Sequence, residues 1–273
     1  VDVVVVLTLG EAGTARVPVL TCCDALNAAG VKVETISAGS DSEIDAVLER
    51  MPGAGVIVGA ANDGQLRAVV RRLVRRYAPP PSARPDGLPV DRTLPDLPPL
   101  GVLPLGPGLV DRLGLPRDPA EVAAAVLSGR VRRLDLLRND GGSVTLHATL
   151  FDGDEPFAAR VEVDDAILSD GTEPLLVTAI ANADGYAEVD GLPLTVGADA
   201  ADGVLDVAIA LAHSRRRWLR RSRVEIEVRR ARGRAVAITP SGKVPFVDDG
   251  VAGTLDRKRS WWMEHGAWAV YDT

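Results

Sequence analysis

The residues that could do chemistry gather in one short stretch. Residues 56–73, VIVGAANDGQLRAVVRRL, run from an apolar β-branched strand through a small, polar turn into a helical pattern. The turn region carries Gly59, Asn62, Asp63, Gly64 and Gln65. A strand, a glycine-bearing turn and a helix N-terminus make an anion site, because unpaired backbone N–H groups and the helix dipole converge on the turn. Phosphate binding is the chemistry this predicts, and the bland alternative is an ordinary βα turn. A second stretch, residues 100–116, LGVLPLGPGLVDRLGLP, repeats the theme with Gly106 and Gly108 flanking Pro107. His147, His213 and His265 have no spacing suited to a metal site or a nucleophilic triad, and no Gly-x-Ser-x-Gly or Walker lysine is present.

These turns need a scaffold, and the flanking sequence supplies one. Apolar runs at 3–7, 31–36 and 56–58 alternate with helical patterns at 17–29, 42–51 and 65–77. Gly30 is the expected stop of the first helix, and Ser42 the expected cap of the second. This rhythm predicts a doubly wound, mostly parallel sheet with ligands at the carboxyl ends of its strands. Asp118 should cap an alanine-rich helix closed by Gly129. Past residue 134 the texture becomes short alternating segments broken by Gly, Asp and Asn, which predicts an antiparallel, sandwich-like body. The division expected is 1–132 for the α/β domain and 133–273 for the β-rich domain. A proline-dense segment, residues 79–99, reads as a long or partly disordered surface loop, either a tolerated insertion or a lid.

Composition narrows the class further. A chain of 273 residues with 46% hydrophobic and 25% charged content belongs with ordinary globular proteins, large enough for one or two cores. No apolar run approaches the ~20 residues that span a bilayer, so a cytoplasmic protein is expected. The chain begins at Val1 rather than Met, which leaves a removed leader open. A net charge of −7 argues against general nucleic-acid binding. Cys22 and Cys23, adjacent in a helical stretch, read as small buried fillers. Residues 215–223, RRRWLRRSR, with Arg229, Arg230, Arg232 and Arg234 beyond them, concentrate positive charge. One reading is peripheral contact with an anionic membrane through Arg215, Arg216, Arg217, Trp218, Arg220 and Arg221. The other is a solvated connection whose guanidiniums pair with nearby carboxylates. The 261–263 Trp-Trp-Met run fits core packing better than a docking surface.

The two glycine turns, followed by DAADGVLD at 199–206 and VDDG at 247–250, resemble the diacylglycerol kinase-like lipid kinase family of the NAD kinase/diacylglycerol kinase fold superfamily. There the first turn normally reads GGDGT, the second PLGTGND and the late motif DGE. The resemblance runs from about residue 56 to 270 and implies an ATP- and Mg-dependent phosphotransferase acting on a lipid hydroxyl. It places nucleotide over Gly59, Asn62, Asp63, Gly64, Gln65, Gly106 and Gly108. It makes Asp63 the organiser of phosphates and metal, and Asp249 the group that handles the acceptor hydroxyl. It implies Asp202, in an acidic turn, as a ligand of a structural magnesium.

The departures fall on the chemistry. Ala61 and Asn62 stand for the two glycines and Gln65 for the threonine. Pro107 replaces a threonine that offers both a hydroxyl and an N–H, and Val251 replaces the glutamate of the late motif. The expectation is therefore a family member with an eroded site and weak or no transfer. The alternatives are an active kinase with a remodelled site, or a module that binds a lipid, another small hydroxyl compound, a nucleotide or a protein. A homodimer is allowed.

Overall fold

A computed structural model describes residues 2–10, 16–80, 85–185, 187–215 and 223–273. The chain forms two compact units: Val1–Asp135 together with Glu264–Thr273, and Leu136–Met263. The last ten residues thus return to the first unit, which a linear cut at 132/133 does not contain. The arginine–tryptophan segment at 216–222, which carries the membrane reading, lies outside the described residues, as does the side chain of Arg215.

The first unit is built from β1 (Val3–Leu9), α1 (Val17–Ala28), β2 (Lys32–Ala38), α2 (Asp41–Leu48), β3 (Gly55–Ala60), α3 (Asp63–Tyr77), β4 (Gly101–Pro104), α4 (Leu109–Arg112) and α5 (Pro119–Ser128). The strands are parallel in the order β2-β1-β3-β4, so the chain reverses its direction of winding between β1 and β3. In such a sheet the crevice beyond the strand ends at that point is where ligands bind. Period-two alternation divides the buried strands between two faces. Val4, Val6, Ile57 and Leu103 pack with Val19, Cys22, Leu26 and Val126 of α1 and α5. Both cysteines are buried and unpaired, and burial, with Cys23 beside it, pushes the Cys22 thiol up to about 12. It is an inert filler, not a nucleophile. On α3, Leu66, Val69, Val70 and Leu73 are buried, while Arg71 and Arg72 pair with Asp41 and Asp45 of α2.

Two local details differ from the sequence expectation. The cap of α2 is Ser40, not Ser42: its hydroxyl accepts the Glu43 N–H, and Glu43 reaches back to the Gly39 N–H at 2.7 Å. That reciprocal pair is a capping box shifted one residue outward, and it draws the Glu43 carboxyl below its usual range. The proline-dense segment is also more ordered than expected over its second half. Leu94, Leu97 and Leu100 are fully buried. The Leu97 and Leu100 amides donate to the carbonyls of Ala267 and Ala269 in the returning strand. The buried Glu264 carboxylate accepts the N–H groups of Thr93 and Leu94 at 2.7 and 3.2 Å and also the Thr93 hydroxyl. Prolines cannot join a sheet ladder, but the residues between them supply enough amides to lay the segment along a strand.

The second unit is antiparallel. Its strands are β5 (Val131–Asn139), β6 (Val144–Thr145), β7 (Ala148–Phe157), β8 (Ala159–Val163), β9 (Ala166–Asp170), β10 (Leu175–Ala181), β11 (Glu188–Val189), β12 (Leu192–Pro193), β13 (Leu205–Arg215), β14 (Arg223–Gly233), β15 (Ala235–Pro240), β16 (Val244–Asp248), β17 (Val251–Leu255) and β18 (Arg259–Tyr271). β5 and β18 begin or end in the first unit. One sheet runs β14-β13-β10-β7-β16-β17 and the other β6-β5-β18-β15-β8-β9. Inward-facing Phe151, Ile180, Val207 and Ile209 from the first meet Val161, Val236, Ile238 and Trp261 from the second in one core, the arrangement of a sandwich. Phe151 and Trp261 pack edge to face with centroids 5.6 Å apart, so Trp261 is a core residue of this unit.

Candidate functional site

Both glycine turns lie in the first unit, and they meet. β3 ends at Ala60, whose carbonyl accepts the Leu105 N–H at 2.8 Å, so the two turns leave neighbouring parallel strands side by side. A Cβ built on Gly106 would collide with the backbone carbonyl of Ala61, and one on Gly108 with the Asp63 carboxylate. Glycine at 106 is therefore demanded by the approach of the first turn, whereas at 108 the neighbour is a side-chain tip. Gly106→Ala is expected to cost roughly 1–3 kcal/mol, because a backbone carbonyl cannot swing aside as a side-chain tip can. A urea-unfolding midpoint equal to that of the wild type would contradict this contact.

The first turn is closed by its own side chains. Asn62 caps α3, its Oδ1 accepting the Gln65 N–H at 3.0 Å. Gln65 then folds back, and its Oε1 accepts the Ala61 N–H at 2.8 Å. Its amide nitrogen reaches the Leu9 carbonyl at the end of β1, at 3.5 Å. Two of the backbone donors that an anion would use thus already hold side-chain oxygens. The recess between the turns is lined by Ala60, Asn62, Asp63, Leu66, Gly106, Pro107, Gly108 and Val110, and its volume of about 10 Å³ is that of roughly one water molecule. Gly59 is not in that lining. It sits inside β3, where a Cβ would stand 3.0 Å from Thr8 Cγ2 and 3.2 Å from Leu105 Cδ1. Gly64 is the second residue of α3. Beyond the second turn, α4 has only four residues and Asp111 is paired with Arg117 at 2.5 Å.

The late acidic motif lies in the second unit and forms a hairpin. Asp248 and Val251 face each other at the ends of β16 and β17, with Asp249 and Gly250 as the two-residue loop between them. Their φ values are 48° and 80°, as a type I′ hairpin turn requires, and Asp-Gly is a favoured pair for it. The Asp249 carboxylate is fully buried and accepts three backbone N–H groups, from Leu146, His147 and Ala148, at 2.7, 2.9 and 3.1 Å. Leu146 and His147 form the break between β6 and β7, and Ala148 opens β7. The Asp248 carboxylate accepts the hydroxyls of Thr145 and Thr149 at 2.7 and 3.0 Å. Val251, in the place of the family glutamate, opens β17 and is 43% exposed.

The acidic turn around Asp202 precedes β13, and its surroundings were not legible in the sequence. Arg232 on β14 faces Asp206 on β13 in register. Its guanidinium pairs with Asp202 Oδ2 and, through Nε at 3.1 Å, with Asp206 Oδ1. Arg229 forks onto Glu173 at 2.6 and 2.9 Å, drawing that carboxyl below its usual range, and Arg230 donates to the carbonyls of Leu194 and Pro193. Arg229, Arg230 and Arg232 are thus taken up by acceptors within their own unit. His147 is buried with Nε2 3.3 Å from the Asp184 carbonyl, and His265 lies 2.9 Å from the buried Asp135 carboxylate.

A parallel α/β unit with two apposed glycine turns beyond the ends of β3 and β4, followed by an antiparallel sandwich, is the scaffold of a lipid kinase-type catalytic domain. Residues 4–139 match the family model of the diacylglycerol kinase catalytic domain. Among curated proteins none matches the sequence. Solved structures similar in fold include a diacylglycerol kinase from Bacillus anthracis str. Sterne, with 14% identity, a TM-score of 0.69, and 100% of this chain and 97% of that one covered. Another chain from the same organism, provisionally assigned as a diacylglycerol kinase, has 13% identity, a TM-score of 0.70 and the same coverage. The chain belongs to the diacylglycerol kinase-like family. Among the described residues, no helix is long and apolar enough to cross a membrane.

Proposed function

We propose that this family member has kept the lipid kinase scaffold and transfers phosphate weakly or not at all, acting by binding a lipid or a protein. The observation that carries the reading is the closed first turn, in which Gln65 Oε1 holds the Ala61 N–H and Asn62 Oδ1 holds the Gln65 N–H. Phosphoryl transfer asks a protein mainly to position phosphates and stabilise charge, so the cost of lost donors falls directly on the barrier. A nucleotide phosphate would have to displace both side-chain oxygens and would find no N–H at Pro107. The residues present therefore fit ATP and its magnesium poorly. The acceptor side is no better provided. Asp249 spends both oxygens on backbone amides, Asp248 Oδ1 holds two threonine hydroxyls, and Val251 can neither bind a metal nor accept a proton. Asp63, facing Gly108, is the carboxylate on which any residual transfer would depend.

The test is transfer of labelled γ-phosphate from Mg-ATP to a panel of diacylglycerol, sphingosine and related hydroxyl lipids. The wild-type chain is expected to give at most a trace of product, which Asp63→Ala removes. Repeated turnover by the wild type would show working catalysis and overturn the proposal.

A further inference from the structure

The family resemblance assigns the acidic turn at Asp202 to a structural magnesium, and the donor set here does not fit one. A bound Mg²⁺ needs about six oxygens in near-octahedral array, several supplied by carboxylates or water. Asp202 Oδ2 is paired with Arg232, and Asp202 Oδ1 accepts the Val204 N–H at 3.1 Å. Asp199 Oδ1 accepts the Ala201 N–H at 3.0 Å, and Asp206 Oδ1 is bound to Arg232 Nε. Asp206 Oδ2 is buried without a hydrogen-bond partner among the described residues, and Asp199 is an exposed residue. A pair of carboxylates already bound to a guanidinium is a poor dication site, since the fixed positive charge repels the ion. No set of three acidic, histidine or cysteine side chains converges on a metal position among the described residues.

We infer that Arg232 takes the structural place of a divalent cation in this turn, so that the fold of the second unit is independent of magnesium. The reasoning rests on placement. Arg232 lies opposite Asp206 in the β13–β14 ladder, so the strand register delivers its guanidinium to the turn whether or not any ion is present. A planar fork bridging two carboxylates also does what a metal does mechanically: it ties the turn that ends at Asp202 to the strand that begins at Leu205. Asp206 is 8% exposed, and burial raises its carboxyl above the usual range, so the charge it carries needs a close positive partner. An arginine supplies that partner permanently, and an exchangeable ion does not.

The experiment uses the whole chain and magnesium chloride alone as the probe. Thermal unfolding is followed in EDTA and in excess magnesium chloride for the wild type, Arg232→Gln and the double variant Arg232→Gln/Asp202→Asn. The wild-type midpoint is expected to be the same in both buffers. Arg232→Gln should melt several degrees lower in EDTA, and the double variant should recover part of that loss because the repulsion between the two carboxylates is gone. A wild-type midpoint that rises by roughly 2–4 °C or more with magnesium would overturn the inference. So would an Arg232→Gln midpoint equal to that of the wild type in EDTA. Should Arg232→Gln not fold, the wild-type comparison decides alone: an unchanged midpoint upholds the inference and a raised one defeats it.

Discussion

Asp249→Ala is expected to lower the unfolding free energy by about 3–5 kcal/mol, whatever it does to any activity. Three buried amides, of Leu146, His147 and Ala148, lose their shared carboxylate acceptor at once. Each unsatisfied buried donor costs about 1–3 kcal/mol, reduced where water can enter. Alanine must also adopt φ near 48°, a region that penalises a Cβ and that aspartate and asparagine tolerate better. Asp249→Asn keeps the turn and one acceptor oxygen, so its loss should be smaller than that of alanine. Chemical denaturation of the three proteins measures the ordering. A carboxylate kept for chemistry alone would give the opposite result, with Asp249→Ala as stable as the wild type or more so.

The second large effect is expected at Glu264, in the first unit. Its buried carboxylate holds Thr93 and Leu94 by their amides and Thr93 also by its hydroxyl. Glu264→Ala removes those acceptors and leaves a void, again for about 3–5 kcal/mol. The consequence should be local first. The Leu97 and Leu100 amides pair with the carbonyls of Ala267 and Ala269, and Leu94, Leu97 and Leu100 are buried beneath the segment. Hydrogen exchange at Thr93, Leu94 and Leu97 should therefore accelerate more than exchange in β1 or β3. Glu264→Gln, with the same shape and one acceptor oxygen, should fall between. Equal protection of this segment in wild type and Glu264→Ala would show that the carboxylate does not hold it.

These two residues mark the limit of what sequence pattern could say. The parallel sheet, the helices that cover it and the antiparallel sandwich are written in short-range periodicity, and α5 begins and ends where Asp118 and Gly129 place it. The closed first turn was also readable in part. Asn62 followed three residues later by Gln65 is a capping-box spacing, and a side chain that satisfies a helix N-terminus competes with an anion for the same donors. Glu264 was not readable. A charged residue in an alternating strand looks solvent-facing until the proline-dense segment is known to lie upon it. Arg232 was legible as one arginine among many, but its pairing depends on the β13–β14 register, a long-range property. Asp249 was ambiguous for a different reason. An Asp-Gly pair is demanded equally by a type I′ hairpin and by a catalytic motif, so the dipeptide alone cannot separate the two.

If the first turn is sealed by Gln65 and Asn62, the whole chain should be indifferent to nucleotide. A thermal melt with and without Mg-ATP measures this most directly, because a ligand that binds the native state alone must raise the midpoint. At a hundredfold excess over its dissociation constant a bound nucleotide would add about 2.7 kcal/mol, or roughly 5–10 °C. The predicted result is an unchanged midpoint for both the wild type and Asp63→Ala. A saturable rise of that size in the wild type, lost in Asp63→Ala, would place nucleotide at the two turns and contradict the closed-turn account.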